Sequence, residues 1–130
     1  MIIGLGIDYV DIRRICNLLE NFPRFAHRIF TTEEQAYAEK NPYPAAIYAK
    51  RFAAKEAFIK ASGKKVVPFF SWKDVFVEHE THGTPFLNFS PRGWSVLQEH
   101  FGNNIKFHLS LTDEPPYAAA FVIMERISAP

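Results

Sequence analysis

Cysteine is almost missing from this sequence of 130 residues, which rules out a disulfide framework. Cys16 stands alone, so no internal disulfide can form. A chain of this kind fits a reducing compartment, and we expect a cytoplasmic protein. The apolar residues around Cys16 predict a packed thiol rather than a nucleophile.

Long hydrophobic runs and a clear excess of one charge are missing as well. No stretch approaches the roughly 18 apolar residues that span a membrane, and the N-terminal apolar run meets Asp8 too early for a signal peptide. Fifteen basic and fourteen acidic side chains give a net charge of +1. General nucleic-acid binders show a strong basic excess, so we expect neither a nucleic-acid nor a membrane partner.

What the chain does contain predicts one folded unit. Hydrophobic residues make up 48% of the sequence and aromatic residues 15%, which excludes a disordered chain. The length suits a single domain over residues 1–130. Strand-like alternation and helix-like periodicity are both present. The predicted class is therefore α+β, with an antiparallel sheet packed against a long central helix and shorter helices.

The central helix is the clearest predicted element. It opens near Pro44 and ends at Gly63, because alanines recur through it and no Gly or Pro interrupts them. The other predicted elements are a strand at 2–10, helices from Asp11, from Thr31 to about Lys40 and from Ser90 to Gly102, a hairpin of 74–80 with 86–89, and strands at 105–112 and 117–127. The last strand is nearly all apolar and is expected to be buried.

The first strand carries a carboxylate beside two glycines. Gly4 and Gly6 do not make a dinucleotide-binding motif, because position 9, where the motif needs its third glycine, is Tyr9. Small residues here allow a ligand or another backbone to approach Asp8 closely. The alternative is that Asp8 is only a turn or cap residue at the strand end.

A second carboxylate lies on the central helix. Phe52, Glu56 and Lys60 share one stripe, and a carboxylate on an apolar stripe needs compensation for its charge. The simplest alternative is an exposed Glu56–Lys60 pair worth about 0.3–0.5 kcal/mol. Arg51 and Lys55 lie off this stripe, toward the other side.

Two further polar groups complete the candidate features. One is a row of polar residues on one face of strand 105–112, which is either the wet side of an antiparallel sheet or the floor of a site. If this row meets both carboxylates and Lys60, the set suits Mg²⁺ on a phosphorylated substrate. The other is a basic cluster at Arg13, Arg14, Arg24 and Arg28, which is either a solvated face or a docking patch for an acidic partner.

Five segments, in this order, resemble the holo-acyl-carrier-protein synthase family. They read GIDYVDIRRI at 6–15, RFAHRIFTTEE at 24–34, KRFAAKEAFIKASG at 50–63, GTP at 83–85 and HLSLTDEPPYAAAFVI at 108–123. The first and third segments are highly specific together, whereas GTP alone would carry no weight. The resemblance runs from Ile2 to about Arg126.

The resemblance implies the 4′-phosphopantetheinyl transferase fold and a reaction. Members of the family transfer 4′-phosphopantetheine from coenzyme A to a serine of apo acyl carrier protein, releasing adenosine 3′,5′-bisphosphate, in fatty acid biosynthesis. The resemblance also implies dependence on Mg²⁺ and a homotrimer with active sites between neighbouring subunits. The expected partners are therefore coenzyme A, apo acyl carrier protein and further copies of this chain.

Residues that match the family's motifs fall into three sets. Asp8 and Glu56 match the metal ligands, and with Lys60 they form the expected catalytic set. Positions expected to line coenzyme A are Phe52, Lys60, Gly63, Pro85, His108, Ser110 and Thr112. Arginines expected to contact the acidic carrier protein are Arg14, Arg24 and Arg28. The base that takes the serine proton is left open between Asp8, Glu56 and a metal-bound water.

Two positions depart from the family pattern. The family usually continues Gly-Thr-Gly after the KASG segment, whereas Lys64 and Lys65 follow Gly63 here. The polar strand often ends in His in the family, where this chain has Asp113. A non-catalytic module that binds coenzyme A or the carrier protein without transfer is the alternative function.

Overall fold

The computed structural model describes residues 1–128 and has the predicted α+β architecture. Each predicted helix and strand is present. The elements are β1 (Ile2–Asp11), α1 (Ile12–Asn21), α2 (Phe25–Ile29), α3 (Thr32–Glu39), α4 (Pro44–Ala61), β2 (Val75–His79), β3 (Pro85–Phe89), α5 (Pro91–Phe101), β4 (Ile105–Glu114) and β5 (Tyr117–Arg126). Short 3₁₀ turns at Val67–Phe69 and Trp72–Asp74 connect α4 to β2. None of the helices within residues 1–128 is long and apolar enough to cross a membrane.

A three-stranded antiparallel sheet in the order β1-β5-β4 packs on α4, and β2 pairs with β3 in a separate hairpin. The glycines of β1 permit this packing. A Cβ atom at Gly4 would overlap the carbonyl oxygen of Ala61, and one at Gly6 would overlap that of Ala57. It is therefore the backbone of α4, one of the two expected alternatives, that approaches β1 beside Asp8.

Helix α4 is buried on nearly all sides, not on one stripe alone. Its alanines are fully packed, and Arg51 and Lys55, which lie off the Phe52–Glu56–Lys60 stripe, are buried as well. The α3 capping box predicted from Thr31 and Glu34 is present, and Glu34 is buried against Lys55. A charge buried in such a helix needs a partner, and Arg51 and Lys55 share Glu34 as theirs.

The strand pattern leaves one face of the large sheet open to solvent, and we call it the outer sheet face. On β1, Leu5, Ile7 and Tyr9 are 57%, 62% and 73% exposed. The expectation that β5 is buried holds for one side only, because Phe121 and its neighbours on alternate positions point away from α4. The part of this face that β1 and β5 form is apolar, and an exposed apolar patch of this kind often marks a contact surface.

Helix α1 begins at its predicted cap. Asp11 accepts a hydrogen bond from the backbone N–H of Arg13 at 2.9 Å. Cys16 is half-buried in this helix, and burial, followed by a contact with Glu20, raises the pKa of its thiol. A raised pKa lowers the thiolate fraction, in keeping with a packed thiol rather than a nucleophile.

Candidate functional site

The packing of β1 on α4 brings Asp8 to Lys60. The Lys60 Nζ lies 3.1 Å from Asp8 Oδ1 and donates a second hydrogen bond to the Ile7 carbonyl oxygen at 2.9 Å. Lys60 therefore pairs with the carboxylate of the strand and not, within the described residues, with Glu56 one turn earlier on its own helix. Asp8 itself is not at a strand end, since β1 continues to Asp11.

Glu56 lies half-buried close to this ion pair. Burial is the larger cause that raises the pKa of Glu56, and the negative charge of Asp8 raises it further. The positive charges of Lys60 and Arg14 act in the opposite direction. A carboxylate whose pKa is raised by burial and by a neighbouring acid, in a site with a lysine, is a candidate functional residue.

A cavity of about 550 Å³ opens beside Glu56. Its lining is mostly apolar and comes from α2, α4 and the segment between α4 and β2. The lining residues are His27, Arg28, Lys55, Glu56, Ile59, Val67, Phe70, Ser71, Trp72, Lys73 and Val75. A concave apolar space with a few charged groups at one end is the usual form of a small-molecule site.

One of the three predicted docking arginines, Arg28, lines this cavity. Arg14 is exposed on α1, and its guanidinium carbon lies 5.8 Å from the centre of the Phe52 ring. Arg28 lines the cavity, and Arg24 is exposed at the start of α2. The Phe52 ring also stacks on Trp72 at 5.5 Å, so this predicted ligand-lining residue forms part of the site's aromatic packing.

The polar row of β4 does not meet the acidic pair within one chain. Lys106, His108, Ser110 and Thr112 alternate with the core-facing residues of β4 and lie on the outer sheet face, whereas Asp8 lies on the α4 side of β1 with Gly4 and Gly6. His108 contacts Glu125 there, with 2.9 Å between Nε2 and Oε1. Pro85 is also remote from the acidic pair. It opens β3 and pairs with His79, at the end of the hairpin away from Val75. One chain thus holds two separated halves of the predicted residue set.

The sequence matches a known superfamily over most of its length. Residues 4–122 match the family model of the 4′-phosphopantetheinyl transferase superfamily. The holo-[acyl-carrier-protein] synthase of Maricaulis maris is 46% identical, over 96% of this chain and 90% of its own. That of Paramagnetospirillum magneticum is 48% identical, over 96% of this chain and 97% of its own. The chain belongs to the 4′-phosphopantetheinyl transferase superfamily.

Solved structures agree on the fold of this phosphopantetheinyl transferase. The holo-[acyl-carrier-protein] synthase of Neisseria meningitidis superposes with a TM-score of 0.84 at 37% identity, covering 96% of this chain and 99% of its own. That of Bacillus anthracis, solved in complex with CoA (3′,5′-ADP), superposes with a TM-score of 0.80 at 31% identity. The match covers 98% of this chain and 99% of its own. The predicted family and fold are confirmed.

Both departures from the family pattern have a structural account in this transferase. Gly63 and Lys64 follow α4 with φ angles of 66° and 63°, so Lys64 takes a left-handed conformation that favours glycine. Asp113 faces α4, where Lys50 Nζ lies 3.1 Å from its Oδ1. This ion pair fixes the end of β4 to the first half of α4.

The donor set of this site consists of two carboxylates. It fits Mg²⁺ better than a metal ion held entirely by protein ligands. Within residues 1–128 no group of three or more His, Cys, Asp or Glu side chains could hold a metal ion. Mg²⁺ is commonly bound through one or two carboxylates, with waters and substrate phosphates filling the other positions. Asp8 and Glu56, one of them already paired with a cation, match that donor set.

Sequence reasoning missed a buried charged group beside the site. Lys55, Arg51 and Glu34 lie together under the cavity wall, with Lys55 Nζ 2.8 Å from Glu34 Oε1. The pattern contained a signal, because an alanine-rich helix without a polar face is enclosed on all sides. A lysine on an enclosed side of such a helix, as Lys55 is, needs a buried partner.

Proposed function

We propose that this protein transfers 4′-phosphopantetheine from coenzyme A to a serine hydroxyl of apo acyl carrier protein, releasing adenosine 3′,5′-bisphosphate. The observation that carries the proposal is the Asp8–Lys60 ion pair whose charges act on Glu56, a residue that lines a cavity, in a chain of this superfamily. Two acids and a lysine are suited to binding a metal-bound diphosphate.

Asp8 and Glu56 would hold Mg²⁺ at the site. When bound, the ion offsets negative charge on the diphosphate as the P–O bond breaks. The Lys60 ammonium lies beside Asp8. Because the Lys60 side chain is 46% exposed, it can leave Asp8 and pair with a phosphate oxygen instead. The attacking serine must lose a proton, and Asp8, Glu56 and a metal-bound water stay the candidate bases.

The second half of the site comes from a neighbouring copy of the chain. His108, Ser110 and Thr112 lie on the outer sheet face, from which they cannot reach Asp8 of their own chain. That same face carries exposed Leu5 and Ile7, which a neighbouring subunit would cover. A homotrimer with sites between subunits, as the resemblance implies, would satisfy both requirements. The polar row and Pro85 would then contact the nucleotide phosphates, with Gly63 beside Lys60 on the acidic side.

Mass spectrometry of apo acyl carrier protein tests this function directly. After incubation with coenzyme A, Mg²⁺ and this protein, we expect the carrier to gain the mass of one phosphopantetheine group. Reactions without coenzyme A, or with the metal chelated, serve as controls. Binding of either substrate without a change of carrier mass would instead identify a non-catalytic module. A cytoplasmic location and a role in fatty acid biosynthesis stay predictions.

Reversing the charge of Arg24 should raise the KM for the carrier protein about tenfold or more, with little change in the KM for coenzyme A. The reason is that exposed arginines at the rim of the site would steer and hold an acidic partner. Arg24→Glu is cleaner than Arg14→Glu, because the charge of Arg14 also acts on Glu56. The measurement is the initial rate with each substrate varied in turn.

Lys40→Glu provides the matched control, since it makes the same charge change at the exposed C-cap residue that follows α3. It should leave both KM values near those of the wild type. Equal increases for both substrates in Arg24→Glu would contradict a docking role.

A further inference from the structure

A fully buried lysine stands one position before Glu56, and the function above does not use it. The Lys55 Nζ donates hydrogen bonds to Glu34 Oε1 at 2.8 Å, to the Trp72 carbonyl oxygen at 2.9 Å and to the Val75 carbonyl oxygen at 2.7 Å. All three donors of the ammonium are therefore engaged. A lysine is almost never this buried without a specific partner.

The carboxylate that holds Lys55 is itself fixed by three elements. Glu34 Oε1 accepts a hydrogen bond from the Thr31 backbone N–H at 3.0 Å, and Oε2 accepts one from the Val77 backbone N–H at 3.1 Å. Arg51 adds a second cation, with its Nε 4.0 Å from Glu34 Oε2. Helices α3 and α4 and strand β2 thus meet at one buried charged point.

The two carbonyls bound by Lys55 belong to a wall of the cavity beside Glu56. Ser71, Trp72, Lys73 and Val75 line the side that faces Glu56 and Ile59. Trp72–Asp74 of this wall form a short 3₁₀ turn, which Asp74 joins to Ser90 and Arg92, and Val75 begins β2. Two side chains of α4 contact this wall: the Phe52 ring stacks on Trp72, and Lys55 supplies the hydrogen bonds to its backbone.

We propose that Lys55 is a positioning residue that holds this wall so that the cavity takes the pantetheine arm of coenzyme A. The inference rests on the proposed function, which puts the diphosphate at Asp8, Glu56 and Lys60. The cavity begins at Glu56 and is mostly apolar. The pantetheine arm leaves the diphosphate as an uncharged chain with two amide groups, which suits such a space. The adenosine bisphosphate half is polar and charged, and it does not suit an apolar space.

The test compares affinities for coenzyme A and for adenosine 3′,5′-bisphosphate, which lacks the arm. Lys55→Met keeps the side-chain length but removes both bonds to the wall. Glu34 keeps Arg51 as its cation, so the buried group stays balanced. By calorimetry without carrier protein, we expect the Kd for coenzyme A to rise about tenfold and that for the bisphosphate to change by less than about twofold.

Arg51→Met is the matched control. Arg51 is as buried as Lys55, lies one turn earlier on α4 and contacts Glu34, but it makes no bond to the wall. It should leave both affinities near those of the wild type, although its stability falls. If Lys55→Met does not fold, Lys55→Gln, which is shorter and cannot donate to both carbonyls, must show the same selective loss for coenzyme A.

Two results would overturn the positioning role. One is an unchanged Kd for coenzyme A in folded Lys55→Met or, failing that, in Lys55→Gln. The other is an equal loss for both ligands, which would indicate general damage to the site. A wild-type protein that binds coenzyme A but modifies no carrier would overturn the proposed function alone, because the affinity comparison needs no transfer.

Discussion

Glu56→Gln should lower kcat for phosphopantetheine transfer by about a thousandfold or more, because a metal ligand supplies several kcal/mol of transition-state stabilisation. Its fold should be at least as stable as that of the wild type. Burial and then the charge of Asp8 raise the pKa of Glu56, so the ionised side chain destabilises the folded state. Rates from the carrier mass assay and thermal unfolding without added magnesium measure the two effects.

The sign of the pH dependence follows from the same shift. A carboxyl group whose pKa is higher in the folded state binds its proton more tightly when folded. Its contribution to stability is fully present below the ordinary value of 4.5 and is lost as pH rises through the higher folded pKa. Glu56→Gln removes this loss, so its advantage in melting temperature should appear at neutral pH and vanish in acid.

Glu99→Gln, at an exposed position of α5, is the matched control and should change neither property. Asp8→Asn should lose activity to a similar degree, because it removes the second acid and the Lys60 ion pair. Near-normal transfer by either variant would refute the assignment of the acidic pair.

Two inactive variants should restore activity when they share one oligomer. The first variant is Glu56→Gln, and the second carries His108→Ala with Ser110→Ala on the outer sheet face. If the acidic pair and the polar row come from different subunits, a mixed assembly contains some sites with both halves intact. In a trimer, each mixed assembly has one interface in three with both halves intact, so the purified mixed species should show about a third of wild-type activity. Co-expression with two tags followed by tandem purification isolates the mixed species.

Mixing the separately purified homo-oligomers without subunit exchange provides the baseline and should give no recovery. Failure of the mixed species to exceed that baseline would mean that one chain builds the whole site, contrary to the placement of the row. Ile7→Asp is a second check, because a charge on the exposed apolar part of the face should leave monomers without transfer activity.

Local sequence patterns predicted most elements of this fold. The recurrent alanines and the terminal Pro44 and Gly63 predict α4 within a residue or two, because propensity and helix ends are local properties. The capping box at Thr31 and Glu34 was likewise visible, since its hydrogen bonds join residues three positions apart. Alternation gave the polar row of β4 and the correct partition of its two faces.

The arrangement of those faces was decided only by the tertiary structure. Whether Asp8 and the polar row share a side of the sheet depends on strand order and on which face α4 covers, and neither is encoded at short range. The same holds for Lys55, whose partners lie on α3 and on the segment before β2. By itself the sequence determined two acids, a lysine and the family. Packing determined that Lys60 turns to Asp8, that Glu56 borders a cavity, and that the remaining polar residues face outward, because burial of α4 leaves the sheet only one other side.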